Sequence, residues 1–299
     1  MTRCAEETDL RLASTVRLPA GDWETVLDCL VARFPGVARA QWQSRMARGL
    51  VRDASGAVVT DIAAYRPGLE IRYLREVEHE APVAARESIV HADHDLVVAD
   101  KPHFLPVMPT GRWVHETLLA RLIKRLGNPA LTPLHRIDRE TAGLVLFSAR
   151  QTTRARYQAL FRERRIRKTY EALAPSLPDC EFPMIRRSRI QPAEPFFRMR
   201  EAEGAPNSET SIEVLDRAPG LWRYELTPST GRKHQLRVHM AALGAPILND
   251  RWYPELAAPA PDDPNRPLAL VARALEFADP FTGARRRFES AVALQRPFD

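Results

Sequence analysis

From Asp22 the sequence WETVLDCLVARFPG sets Val26, Leu27, Leu30, Val31 and Phe34 at helical spacing and stops at Pro35-Gly36, which predicts a first helix. ARAQWQSRMARGLV follows, with Trp42, Met46 and Leu50 four apart, and predicts a second short helix. VVT after Gly56, and Leu69, Ile71 and Tyr73 alternating beyond the Pro67-Gly68 turn, read as the strands of a small hairpin. Residues 1 to about 15 carry no such period and read as a loose leader. Glu76 to Ser88, EVEHEAPVAARES, has no apolar period and contains Pro82, so it reads as a linker. The pattern divides the chain into an appendage (1–75), the linker (76–88) and a larger domain (89–299).

In the larger domain LVVAD, Leu96 to Asp100, is an apolar strand stopped by Lys101-Pro102. His115 to Gly127 forms an amphipathic helix with Leu118, Leu119, Leu122, Ile123 and Leu126 inward and Gly127 at the C-cap. LHRIDRETAGLVLFS, Leu134 to Ser148, then packs His135, Arg136 and Asp138 ahead of a run, Leu144 to Phe147, that reads as a buried strand. TTRARYQALFRERRIRK is expected to be a helix capped by Thr152 or Thr153, with Tyr157, Leu160 and Phe161 on one side. Its other side holds seven basic residues between Arg154 and Lys168 against one acid, Glu163. KTYEALA, SIEVLDR and WRYELTP read as strands, and residues 175 to 207, rich in Pro, Arg and Glu, as an inserted loop region. TGRKHQLRVHMAALG passes from a loop into a helix with Leu236, Met240 and Leu243 buried. A Pro-rich loop, Pro254 to Pro267, precedes two last strands, LALVARALEF and ARRRFESA. Hairpin-joined strands with helices inserted, rather than alternating with them, predict an α+β fold on a largely antiparallel sheet.

Charge adds a direction: 44 Lys and Arg against 38 Asp and Glu leave +6, which favours a polyanionic partner. Three cysteines without metal spacing support neither a disulfide framework nor a zinc site, and a reducing compartment fits. No apolar run approaches membrane-spanning length and MTRCAEETDLR is no signal peptide, so a cytoplasmic protein that touches no membrane is expected.

Several chemistries fall away on spacing. His234 and His239 are five apart with no acid between them, unlike a helical zinc pair, and GxSxG, GxGxxG and GxxxxGKS are absent. A glycosidase needs two facing carboxylates, and Asp138 has only Glu140 nearby. What remains is one acid, Asp138, among basic residues. A guanidinium beside it would keep it ionised, as a nucleophile or base working next to phosphates that the arginines neutralise. Read locally, Arg136 and Asp138 better suit a surface turn in which Asp138 caps the next element.

HRIDRETAGLVLF resembles the HRLDxxTSGLLLF signature of RluA-type RNA pseudouridine synthases, and the resemblance continues in order along the chain. VVADKPHFLPVMP resembles that family's opening strand and Lys-Pro loop, KTYEA the segment carrying its tyrosine, and TGRKHQLRVHMAALGAPILNDRWY its third motif. The match spans roughly Ile89 to Ala291. It implies the pseudouridine synthase fold, a long mixed sheet flanked by helices with a cleft across it. Asp138 would be the catalytic aspartate, with three actions open to it: addition to the sugar, addition to the base, or abstraction of a ribose proton. Tyr170 would stack on the target base and help remove the proton from its carbon 5, and Arg237 would pair with the aspartate. Arg136 would occupy the gap left by a flipped nucleotide. His135, Lys101, Lys168, Arg232 and Lys233 would join Arg136 in contacting RNA, His135 chiefly as a brace of the loop. An isomerisation requires no cofactor or metal.

The appendage resembles the alpha-L type RNA-binding motif, which would put Arg39, Arg45 and Arg48 on or near an RNA-facing surface. A monomer acting on structured RNA, ribosomal ahead of transfer RNA, is the expected whole. Rival readings are a non-catalytic RNA-binding or ribosome-assembly factor and a nucleoside glycosidase. The chain departs from the family pattern at Ala142, in place of serine, at Val271 and Arg273, and at Ala278 to Pro280. The stretch from Ser176 to Asn207 is also unlike the family's usual short link.

Overall fold

The computed structural model describes residues 13–74, 80–111 and 113–294. They fall into two compact units, one running up to Glu80 and taking in Pro109–His115, the other made of Ala81–Met108 and everything from Glu116 onward.

In the smaller unit α1 (Val26–Arg33) and α2 (Arg39–Ala47) accompany a three-stranded antiparallel sheet of β1 (Ser14–Arg17), β3 (Glu70–Tyr73) and β2 (Val51–Asp53), in that order. Thr25 and Asp28 form a reciprocal cap that satisfies the free amides at the start of α1. Trp42, Leu30, Val26 and Ile71 are fully buried between the helices and the sheet. Two expectations change here. Ser14–Arg17 is a paired strand rather than the end of a loose leader, because Val16 faces the core and pairs opposite Ile71. Val58 makes only an isolated bridge to Arg52, so VVT is no strand and Val51–Asp53 takes that place. Residues 76–79 of the expected linker lie outside the described residues, and its last residue, Ser88, already opens a strand.

The larger unit is built on an eleven-stranded sheet, with β4 (Ser88–Ala92), β5 (Leu96–Lys101), β6 (Thr132–Pro133), β7 (Ala142–Ser148) and β8 (Arg167–Pro175). It continues with β9 (Met184–Pro192), β10 (Met199–Ala202), β11 (Ser208–Ala218), β12 (Leu221–Pro228), β13 (Leu270–Ala278) and β14 (Arg285–Glu289). The order is β10-β9-β11-β12-β8-β13-β7-β5-β4, with β14 on β13 and β6 on β7. All pairings are antiparallel except β13 with β7, so the sheet is mixed and mostly antiparallel as expected. At that parallel seam Gly143 has φ +111°, and a Cβ on it would lie 2.4 Å from the Ala272 carbonyl oxygen, so only glycine fits. Strand β7 is buried at all seven positions.

Helices α3 (Leu118–Leu126), α4 (Gln151–Arg162) and α5 (Gln235–Ala242) complete the unit. Helix α3 starts later than its pattern suggested, because Thr117 caps it by accepting from the Ala120 amide, and Leu126 is partly exposed. Helix α4 begins after Arg150 with no side-chain cap, so neither Thr152 nor Thr153 has the expected role. It also ends at Arg162, and Arg164 takes φ +56°, which turns the basic run off the helix toward β8.

The expected loop from 175 to 207 is instead largely the hairpin β9–β10, which extends the sheet. Its period is hidden because polar pairing, rather than apolar burial, occupies the inner face. Arg186 pairs with Glu201, and Ser188 meets the ring of His239 at 3.0 Å.

Candidate active site

A cleft of about 540 Å³ opens beside β8 and α5, and every residue lining it belongs to the larger unit. The β6–β7 loop supplies His135, Arg136 and Asp138, β8 supplies Lys168 and Tyr170, and α5 with the loop before it supplies Arg232, His234 and Arg237. Asp138 is the one carboxylate among the described residues that line it, facing Arg136, Arg162, Arg164, Lys168, Arg232 and Arg237. The structure thus brings Asp138, Tyr170 and Arg237 into one cavity.

Arg237 is held on every side. Its Nε and Nη2 donate to the two oxygens of Asp250, both at 2.7 Å, and its guanidinium lies 4.8 Å from the Trp252 ring and 5.4 Å from that of Tyr253. The remaining nitrogen, Nη1, reaches 3.4 Å from Asp138 Oδ2 and 3.7 Å from Glu140 Oε2. Burial works against this charge, but the hydrogen bonds and charge of Asp250, with the charges of Asp138 and Glu140, outweigh it and hold Arg237 above its ordinary pKa. The guanidinium is therefore a permanent cation in a fixed pose, with one edge turned to Asp138.

His234 Nε2 lies 3.9 Å from the other oxygen of Asp138. Burial, then Arg237, depresses its pKa to about 3, so near neutral pH it is an uncharged neighbour. Its Nδ1 shares a 2.8 Å hydrogen bond with the Tyr253 hydroxyl. Tyr170 is half-buried, and burial together with the charge of Asp138 drives its pKa far up, so it remains a neutral phenol.

The loop carrying Asp138 is braced from behind. His135 Nε2 accepts from the Leu146 amide at 3.0 Å, and the ring stacks on Phe161 at 4.8 Å. Burial depresses its pKa to about 3, consistent with an uncharged brace. Lys101, expected to contact RNA, is wholly buried and donates to the carbonyls of Pro102 and Arg139 at 3.0 and 3.1 Å. That assignment is corrected: a side chain sealed beneath the loop supports it and reaches no ligand. Arg45 is corrected likewise, being 8% exposed and stacked 5.1 Å over Trp42 in the smaller unit. Arg48 and Arg39 stay exposed, Arg39 paired to Asp28 at 2.8 Å.

Among the other cations, Lys168 lines the cleft and donates to the Thr230 carbonyl at 3.1 Å. Arg232 lines it with Nε on the Asn207 carbonyl at 3.0 Å, and Arg136 is exposed in the wall. Lys233 is exposed but does not line the cavity.

Asp250, Trp252, Tyr253 and Gln235 were not singled out from sequence. Gln235 ties the loop before α5 to the sheet: its Oε1 accepts from the Thr230 hydroxyl and the Arg232 amide, and its Nε2 donates to Thr210 Oγ1. The only signal for Asp250 was its place at the end of the third motif.

The family model for RNA pseudouridylate synthases matches residues 95–242. On this sheet and around this carboxylate, the match defines an isomerase that acts on RNA. An uncharacterized RNA pseudouridine synthase of Synechocystis sp. is 31% identical over 234 residues, 76% of this chain and 79% of that one. The dual-specificity RNA pseudouridine synthase RluA of Haemophilus influenzae is 31% identical over 223 residues, 72% of this chain and 97% of its own length. The solved structure of human RNA pseudouridylate synthase domain containing 4 aligns with TM-score 0.55 and 28% identity over 70% of this chain and 89% of that one. The chain belongs to the RluA-type RNA pseudouridine synthase family.

Proposed function

We propose that this chain isomerises particular uridines in structured RNA, ribosomal RNA ahead of transfer RNA, with Asp138 as its single catalytic aspartate. The observation that carries the proposal is the lone carboxylate in a cationic cleft, set against the free edge of an immobile guanidinium. Arginine and lysine around the rim neutralise the phosphates of an RNA strand drawn into the cleft. Asp138 labilises the bond between ribose C1′ and base N1. The base turns, C1′ bonds to C5, and the proton that C5 loses is balanced by the one N1 gains. Tyr170, as a neutral phenol, serves by stacking on the base, and Arg136, exposed at the mouth, fills the space of the nucleotide that leaves the stack. The appendage adds RNA affinity, and the enzyme works as a cytoplasmic monomer without cofactor or metal.

Site-resolved mapping of pseudouridine in ribosomal and transfer RNA, with and without the gene, tests this. The Haemophilus relative is named for dual specificity, so both RNA classes belong in the experiment. One or a few sites are expected to vanish on deletion, to return with the wild-type chain and to stay absent with Asp138→Asn. In vitro turnover of that variant should fall more than about a thousand-fold with RNA affinity retained. Full turnover by Asp138→Ala would sink the assignment. An unchanged map would favour an RNA-binding or assembly factor, and release of free uracil a glycosidase.

A further inference from the structure

Glu140 lies two residues past Asp138 in the same loop and is a further carboxylate that meets Arg237, yet it does not line the cleft and so touches no substrate there. Nη1 of Arg237 carries two hydrogens and faces both acids, Asp138 Oδ2 at 3.4 Å and Glu140 Oε2 at 3.7 Å. The contacts of the same guanidinium to Asp250 are 2.7 Å long, so Arg237 is pinned by Asp250 and divides its remaining edge. The loop holds Glu140 in this position. His103 Nδ1 donates to the Glu140 carbonyl at 2.6 Å, Lys101 to the Arg139 carbonyl at 3.1 Å, and the Thr141 amide to the Asp138 carbonyl at 3.2 Å. The other side-chain oxygen of Glu140 is 3.2 Å from Arg139 Nη2, and Arg139 grips both oxygens of Asp262 at 2.7 and 2.8 Å.

Each neighbouring guanidinium already has a two-point partner, Asp250 for Arg237 and Asp262 for Arg139. Lys101, buried beneath the loop, also feels the charge of Asp100. Glu140 is therefore negative charge beyond what these cations need, set across one nitrogen from Asp138. Every action open to Asp138 consumes its charge, because a carboxylate oxygen forms a bond to a ribose carbon, to a base carbon or to a ribose proton. A like charge nearby disfavours the ionised form of a carboxylate and so favours that loss. Arg237 steadies the ionised Asp138 at rest, and Glu140 limits how tightly it does so.

We infer that Glu140 is a positioning residue for the isomerisation: it shares the Nη1 edge of Arg237 with Asp138, and its charge makes Asp138 readier to give up its own when it acts on the nucleotide. This rests on the role proposed above for Asp138 and adds the group that tunes it. Because Arg237 is pinned, the tuning needs no movement; the guanidinium that loses Asp138 as a charged neighbour keeps Glu140 on the same nitrogen.

Two substitutions separate charge from shape: Glu140→Gln keeps the size and the hydrogen-bond acceptor and loses the charge, whereas Glu140→Asp keeps the charge and shortens the side chain. Both are measured as the full chain, by steady-state pseudouridine formation on an RNA carrying a mapped site. Glu140→Gln should lower kcat by roughly 10- to 100-fold with KM and RNA affinity within about two-fold of wild type, and Glu140→Asp should keep kcat within about five-fold. A kcat for Glu140→Gln equal to or above that of Glu140→Asp shows that the loop needs only the shape, and overturns the inference. So does a loss confined to KM. Glu140 also offsets the burial of Lys101, so the double variant Glu140→Gln/Lys101→Met is compared with Lys101→Met alone. If Glu140→Gln fails to fold, the same fall in kcat between those two proteins supports the role, and an equal kcat overturns it. Wild-type turnover with an unimpaired Glu140→Gln removes the role of Glu140 alone, whereas a wild type that forms no pseudouridine on any RNA removes the functional reading and this role with it.

Discussion

Two arginines, one in each unit, lie over tryptophan rings at nearly the same distance and do different things. Arg45 is 5.1 Å from the Trp42 ring in the core of the smaller unit, and Arg237 is 4.8 Å from the Trp252 ring in the wall of the cleft. Both are buried on short helices. What separates them is the edge each guanidinium leaves open. Arg237 spends two nitrogens on Asp250 and turns the third to a carboxylate that lines a cavity, whereas Arg45 is packed into the interior of a small domain. Burial of a cation is not by itself a mark of chemistry; burial with one edge facing a cleft is.

The largest effect is expected from removing the cleft arginine. Arg237→Met strands Asp250, whose side chain is 0% exposed, as an unpaired charge, and this should cost about 3–5 kcal/mol of stability. The double variant Arg237→Met/Asp250→Asn takes away the stranded charge and keeps an oxygen for the Trp252 and Tyr253 amides that Asp250 now receives. Denaturant titration should show most of the stability restored, while turnover stays down at least about a hundred-fold. Recovery of activity along with stability would make Arg237 a structural residue like Arg45 and erase the contrast.

The motif order read from the sequence carried Asp138, Tyr170 and Arg237 into a single cleft, because each motif ends an element that points at the same opening: the β6–β7 loop, β8 and α5. Exposure was harder to read. Lys101 and Arg45 count as positive charge in any tally, yet one is sealed beneath the Asp138 loop and the other is packed on an indole. Hairpin β9–β10 was hidden for a related reason. Burial alternates along β9, but the alternating residues are arginine, serine and methionine rather than apolar and polar, so the period is one of pairing partners. Asp250 had no local signal, since its partner is supplied by a helix that precedes it and its burial by aromatics that follow.

Lys101 sharpens the contrast between buried cations through pH. Burial pulls its pKa down to about 7, against the opposing pull of Glu140 and Asp138. Between that value and the ordinary 10.5 the unfolded chain holds a proton that the folded chain lacks, so this residue's contribution to stability rises with pH across the window. Below it the folded state carries the full penalty of a buried ammonium. Lys101→Met should therefore gain stability relative to wild type near pH 6 and lose it relative to wild type near pH 9, by chemical denaturation at the two pH values. A stability difference independent of pH would mean that Lys101 keeps its charge throughout the window.

The smallest effects test the appendage, where a buried and an exposed arginine sit three residues apart at the end of one helix. Arg45→Met keeps an apolar stem but removes the cation over Trp42, and should cost about 1 kcal/mol of stability. Because the side chain is 8% exposed, RNA affinity and its salt dependence should not change. Arg48, exposed at the end of α2, is placed for the opposite outcome. Arg48→Gln should leave stability within about 0.5 kcal/mol of wild type and lower the slope of log affinity against log salt by about 1, the signature of one lost phosphate contact. If both slopes stay at the wild-type value, α2 does not touch RNA and the appendage is a structural extension. If Arg45→Met alone lowers the slope, the guanidinium must leave its indole to bind, and burial in the free protein would then be a poor guide to which arginines of this chain meet RNA.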